Sequence, residues 1–152
     1  MCAFSHILVL LDCSAVDDVV IGQVLKIATC GYAKVTLTHV VHSHTADQDR
    51  FLKKQSETCI STRLLEFREA GIETDFVLLS GEPEVELVKE VNTGKYDLVA
   101  LATHGHKIFS DILFGSVSDH LKHEVDVPLL MIRGKPDEAV GNSEPAEKSA
   151  SN

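Results

Sequence analysis

Short aliphatic runs alternate along this chain with longer stretches in which apolar side chains recur every three or four positions. The first run, residues 6–11 (HILVLL), is apolar without alternation, the pattern of a strand buried on both faces. It ends at Asp12-Cys13-Ser14. Ser14 followed three residues later by Asp17 has the form of a capping box, which predicts a helix reaching about Cys30 with Val20, Val24 and Ile27 on one face. Gly31 suits the left-handed residue that stops such a helix. Residues 35–41 (VTLTHVV), rich in β-branched side chains, predict a second strand. A polar stretch, residues 42–48, leads into a long helix over about 49–70, with Leu52, Cys59, Leu64 and Phe67 among its apolar positions and Gly71 as its stop. Residues 72–79 predict a third strand. Gly81-Glu82-Pro83 then turns the chain and puts Pro83 at the first position of a helix that carries Leu87, Val88 and Val91 and ends near Gly94. Residues 98–103 (LVALAT) predict a fourth strand, 117–123 a last helix and 128–133 (PLLMIR) a fifth strand.

Strand and helix alternate throughout. The expected fold is therefore α/β, a single Rossmann-like open parallel five-stranded sheet with helices on both faces. Residues 1–134 are expected to form one domain. Residues 135–152 are mostly Glu, Ala, Ser, Pro and Lys, with little to bury, and read as a disordered tail.

Composition narrows the function. The 152 residues are 44% hydrophobic and 24% charged, as in an ordinary globular domain. A formal net charge of −9 argues against non-specific binding to nucleic acid or to an anionic membrane surface. No apolar run approaches the roughly 20 residues that span a bilayer, so no membrane insertion is expected. The first residues carry no basic region ahead of the apolar run, which reads as a core strand and not a signal peptide. Cys2, Cys13, Cys30 and Cys59 lack C-x-x-C spacing and are expected to be free thiols in a cytoplasmic protein.

In an open parallel sheet, ligands bind beyond the carboxyl ends of the strands where the strand order reverses. That places interest on Asp12-Cys13-Ser14, on Val40-Val41-His42, and on Thr103-His104-Gly105-His106-Lys107. Gly105 lets backbone approach a ligand closely, and Gly115-Ser116, at the mouth of the predicted last helix, would offer free N–H groups to a phosphate. An ordinary turn glycine and an ordinary helix cap account for the same residues.

Ala102-Thr103-His104-Gly105, nine residues, then Gly115-Ser116 resembles the nucleotide signature of the universal stress protein family, Gly-x-x-Gly-x(9)-Gly-Ser/Thr. Val117, the closing segment from Asp126 to Arg133, Asp12, His39-Val40 and Gly81-Glu82-Pro83 fall where that family has counterparts. One departure stands out, Ala102 in place of the first glycine. The resemblance implies strand order 3-2-1-4-5 and binding of ATP or another adenine nucleotide, with Mg2+ or Mn2+. It implies that Asp12 accepts from the ribose and Val40 offers main-chain groups to adenine. Ala102, His104 and Gly105 would line the phosphate path, and Gly115, Ser116 and Val117 would hold the phosphates. It further implies a homodimer through the last strand, residues 127–132, and a protein partner such as a transporter or signalling protein.

No catalytic group is expected, because no Ser or Cys pairs with a base on sequence grounds. His39, His42 and His44 lack a thiolate or carboxylate nearby in sequence to complete a metal site, and none is expected. Cys13, beside a helix start, is either a redox-sensitive thiol or a small packing residue. The leading expectation is an ATP-binding regulatory stress-response module. The alternatives are a nucleotide-free interaction protein that works through its dimer surface, and a weak ATPase.

Overall fold

The computed structural model describes residues 3–103 and 110–134, and within the helix that begins at Ser110 the side chains from Ser116 onward. The predicted tail, residues 135–152, lies outside the described residues. The elements run β1 (His6–Leu10), α1 (Asp17–Gly31), β2 (Lys34–Val41), α2 (Ala46–Glu69), β3 (Thr74–Ser80), α3 (Pro83–Val91), β4 (Leu98–Ala102), α4 (Ser110–Glu124) and β5 (Leu129–Ile132). The sheet order is β3-β2-β1-β4-β5 and every pairing is parallel, as expected. β1 is central, with Ile7 opposite Val35 on one side and Leu98 on the other.

The two-residue period of the strands divides the core. Ile7, Val9 and Leu11 join Val35 and Leu37 beneath α1 and α2, where Val20, Val24, Ile60 and Phe67 are buried. Leu8 and Leu10 point the other way, with Val99 and Leu101, towards Leu87 and Val91 of α3 and Val117 and Leu121 of α4. A strand covered on both faces needs apolar residues at every position, which is why HILVL shows no alternation.

Several boundaries follow different chemistry from that predicted. Ser14 does not cap α1. The helix begins at Asp17 after Val16, and Asp17 instead accepts backbone N–H bonds from Asp12 and Cys13. Gly31 is the last helical residue, and the left-handed position belongs to Tyr32 (φ 53°), which closes the helix by donating its N–H to the Ala28 carbonyl. Thr45 caps α2 by accepting from the Gln48 N–H at 3.2 Å, and Pro83 opens α3 as predicted. The last helix starts at Ser110, seven residues before the predicted Val117.

Tyr32 is 92% exposed, so its ring gains little in return for the unfavourable backbone. Left-handed backbone costs a side-chain-bearing residue about 1–2 kcal/mol, of which glycine's greater freedom in the unfolded chain returns part. Tyr32→Gly should therefore raise stability by about 0.5–1 kcal/mol in urea denaturation. A loss of stability would mean that the ring contributes packing after all.

Candidate functional site

The loop after β1 is built around a buried carboxyl. Asp17, 2% exposed, accepts from the Asp12 N–H at 3.1 Å and the Cys13 N–H at 2.8 Å. Those two bonds draw the loop back over the start of α1 and hold Cys13 in the left-handed region, φ 62°. Asp12 in turn accepts from the Ser14 N–H at 2.9 Å and the Ser14 hydroxyl at 2.5 Å. Burial, and after it the neighbouring Asp12 carboxylate, push Asp17 up to about 7 from an ordinary 3.8.

Asp12 is half-buried and faces a cavity of about 550 Å³ at the carboxyl ends of β1 and β2. His39, Val40 and Val41 form one wall. Leu52, Gln55, Ser56 and Cys59 of α2 form the facing one. The Nδ1 of His39 donates to the Leu11 carbonyl at 2.8 Å, which leaves Nε2 of the neutral ring as an acceptor. Among the described lining residues there is no Lys or Arg, and Asp12 is the one carboxylate.

Cys13 and Cys59, 46 positions apart in sequence, are joined by a disulfide with Cα atoms 6.0 Å apart. This corrects the expectation of free thiols, at least for this pair. Cys30 is free and exposed, and Cys2 lies outside the described residues. The bond ties the Asp12 loop to α2. By chain entropy, closing a loop of this length stabilises the fold by up to about 4 kcal/mol. It also withdraws the support that free thiols gave to a cytoplasmic location.

The structure places Asp12 and Val40 on the same cavity, and of the residues that the resemblance gives to the phosphates it describes Ala102 and those within α4. Ala102 is the last residue of β4, 3% exposed and packed in the core beneath α1. It is not among the described residues with positive φ, so alanine in place of glycine carries no backbone strain there. His104 and Gly105, with His106 and Lys107, lie outside the described residues. Gly115, Ser116 and Val117 sit in the second turn of α4, not at its mouth. Their N–H groups fall within the helical hydrogen-bond ladder, and the free ones belong to the first turn after Ser110. The Ser116 hydroxyl donates to Glu84 of α3, and Val117 is buried between α3 and α4. That hydroxyl is the main reason Glu84 sits below the ordinary carboxylate range. Of the other histidines, His42 donates to the Gly81 carbonyl at 3.3 Å and stacks edge-on against His44.

Sequence reasoning missed Asp17 as the loop's anchor and α2 as the far wall of the cavity. A signal for the wall was present. Leu52, Gln55, Ser56 and Cys59 recur at helical spacing, so the polar residues among them share one face.

Residues 3–133 match the universal stress protein family. This chain belongs to that family. The stress response protein NhaX of Bacillus subtilis is 21% identical over 89 residues, covering 59% of this chain and 54% of the relative, so the match spans about half of that protein. Among solved structures, the universal stress protein of Archaeoglobus fulgidus in complex with dAMP superposes with a TM-score of 0.65 at 18% identity, covering 88% of this chain and 100% of that one. A universal stress protein family member of Arabidopsis thaliana with AMP bound gives a TM-score of 0.63 at 16% identity, covering 94% and 97%. At these identities the likeness establishes the fold.

For this universal stress protein, the buried carboxyl makes a pH prediction with a definite sign. Asp17 titrates higher in the folded chain than in the unfolded one, so its contribution to stability is complete below pH 4 and is lost as pH rises towards 7. The stability of the parent relative to Asp17→Asn should therefore fall between about pH 4 and 7, measured by urea denaturation at a series of pH values. A difference that stays flat, or rises, contradicts the assignment.

Proposed function

We propose that this chain is a non-catalytic regulatory module that binds an adenine nucleotide, ATP with Mg2+ or Mn2+, and acts as a homodimer in the cytoplasm. The observation that carries the reading is the convergence of Asp12, Val40 and Val41 on one cavity at the carboxyl ends of adjacent parallel strands. Its volume, about 550 Å³, lies in the range of small-molecule sites. Asp12 accepts from the ribose hydroxyls, the backbone around Val40 addresses the adenine edge, and His39 adds a further acceptor. The dAMP and AMP in the two related structures point to the same ligand class.

The described cavity wall has no cationic side chain. A divalent cation supplies the charge that balances the phosphates, and His104, Gly105 and the free N–H groups that open α4 are proposed to hold them. Among the described residues no helix is long and apolar enough to cross a membrane.

The dimer is proposed to form through β5. Among the described residues this strand pairs with β4 alone, and Met131 is 41% exposed. An aliphatic edge is an association hazard unless something pairs it, and a twofold mate does so symmetrically. A partner protein, such as a transporter or signalling protein, then reads the nucleotide state of the dimer.

Three measurements test this. Mass spectrometry of small molecules released from the denatured protein should find an adenine nucleotide, and Asp12→Ala should weaken ATP binding about tenfold or more in calorimetry, the scale of a lost hydrogen bond to a charged group. Unchanged affinity in a folded Asp12→Ala protein removes Asp12 from the site. Absence of binding by the parent favours the nucleotide-free alternative. Light scattering at micromolar concentration should return a dimer, and a monomer contradicts the β5 interface.

A further inference from the structure

The Cys13–Cys59 disulfide forms a partition. On one side lies the cavity of about 550 Å³ that Asp12 and Val40 line. On the other lies a second cavity of about 350 Å³, lined by Ser14, Asp17, Thr62 and Arg63, and both cysteines border both spaces. Cys13 is exposed and Cys59 half-buried. The bond is therefore open to attack from outside, and its state bears on the wall of the candidate ligand site.

We propose that Cys13 and Cys59 form a thiol–disulfide exchange site, through which thiol and dithiol redox partners set the affinity of the nucleotide cavity. The coupling to affinity rests on the nucleotide reading above; the exchange chemistry stands apart from it. A partner thiolate attacks the Sγ of Cys13, the exposed residue of the pair, and forms a mixed disulfide. The Cys13–Cys59 bond breaks, and its electron pair leaves on Cys59 as a thiolate. A second partner thiol then attacks the partner's sulfur in the mixed disulfide and releases Cys13 as a thiolate. The sum is one protein disulfide and two partner thiols converted to two protein thiols and one partner disulfide. Oxidation is the reverse, with a partner disulfide as the oxidant.

The surroundings suit that chemistry. A carboxyl oxygen of Asp17 and both Sγ atoms lie within 4.8 Å of one another. Asp17 is buried and holds its proton close to neutral pH, so it hands that proton to the departing Cys59 thiolate and regains it on oxidation. Among the described residues, the other charged groups bordering the pair are Asp12 from the β1–α1 loop and Arg63 from α2. The Arg63 charge is shared with Asp18 at 2.6 Å and Glu66 at 3.1 Å. His39 and His42 border the larger cavity alone.

The consequence for binding follows from the backbone. Cys13 occupies a left-handed conformation and immediately follows Asp12, so the bond to α2 helps hold the Asp12 carboxylate and the facing wall in one arrangement. Reduction leaves that task to the two Asp17 hydrogen bonds. A site whose wall must be ordered on binding loses affinity relative to a preorganised one.

The test uses the full chain carrying Cys2→Ser and Cys30→Ser, so that the remaining cysteines are the pair in question. It is equilibrated in glutathione buffers of graded redox strength, thiols are counted by alkylation and mass, and AMP affinity is measured by calorimetry in the oxidised and the reduced states. Two thiols should appear together and disappear reversibly, and the reduced form should bind AMP about threefold more weakly or worse. Because the same polypeptide is compared in two states, no variant at the pair has to fold. Thiols that never pair in oxidising buffer overturn the proposal. So does equal AMP affinity in the two states, which leaves the nucleotide reading intact. A bond that toggles in a chain that binds AMP in neither state removes the nucleotide reading, and with it the coupling to affinity.

Discussion

The two hydrogen bonds from the backbone N–H groups of Asp12 and Cys13 to the buried Asp17 carboxyl organise the part of this molecule that faces a ligand. Without them the chain leaving β1 would have no reason to fold back over the start of α1. Together with the Cys13–Cys59 bond they hold Cys13 left-handed and keep Asp12 turned towards the ends of β1 and β2. The cost is a carboxyl group taken out of water beside another carboxyl, which is why Asp17 titrates near neutrality and not near 4. Such an arrangement is tolerated where a loop has to be held in one shape, and here the loop is the wall of a cavity. Stability and function meet at this residue.

The sheet explains why the cavity lies where it does. The order β3-β2-β1-β4-β5 reverses direction beside β1, so successive connections diverge and leave a crevice above its carboxyl end. Asp12 stands at that point and α2 closes it from the side. The disulfide strengthens the closure by joining the loop to α2 across 46 residues of sequence.

Much of the fold was legible because a parallel sheet covered on both faces leaves a strong pattern. HILVL, VTLTHVV and LVALA are too apolar and too short for anything but buried strands, and the connections between them carry helical periodicity. The positions of Asp12 and Val40 were legible for the same reason, Asp12 lying just past β1 and Val40 within the last two residues of β2, and the family resemblance implies roles for them. What was not legible depended on tertiary placement. Ser14 and Asp17 have capping-box spacing, yet Asp17 bonds backward to Asp12 and Cys13 because the loop curls over it, which spacing alone does not reveal. Cys13 and Cys59 have no motif in common, and only the crossing of α2 above the end of β1 brings them together. The start of α4 was misplaced because Gly115-Ser116 looks like a cap in sequence, whereas the helix runs through it from Ser110.

The central claim is that an adenine nucleotide occupies the cavity between Asp12, Val40 and the inner face of α2. A further cavity of about 430 Å³ lies at the opposite end of the sheet, bordered by His6, Lys34, Arg68 and Lys95, with Asp75 also in its wall and paired to Lys34. Titration of the isotope-labelled protein with AMP, followed by amide NMR shifts, separates the two. The account predicts saturable shifts at Asp12, Cys13, Val40, Val41 and Cys59, with the amides of His6, Lys34 and Lys95 unmoved. Shifts confined to the His6–Lys34–Lys95 end would contradict it.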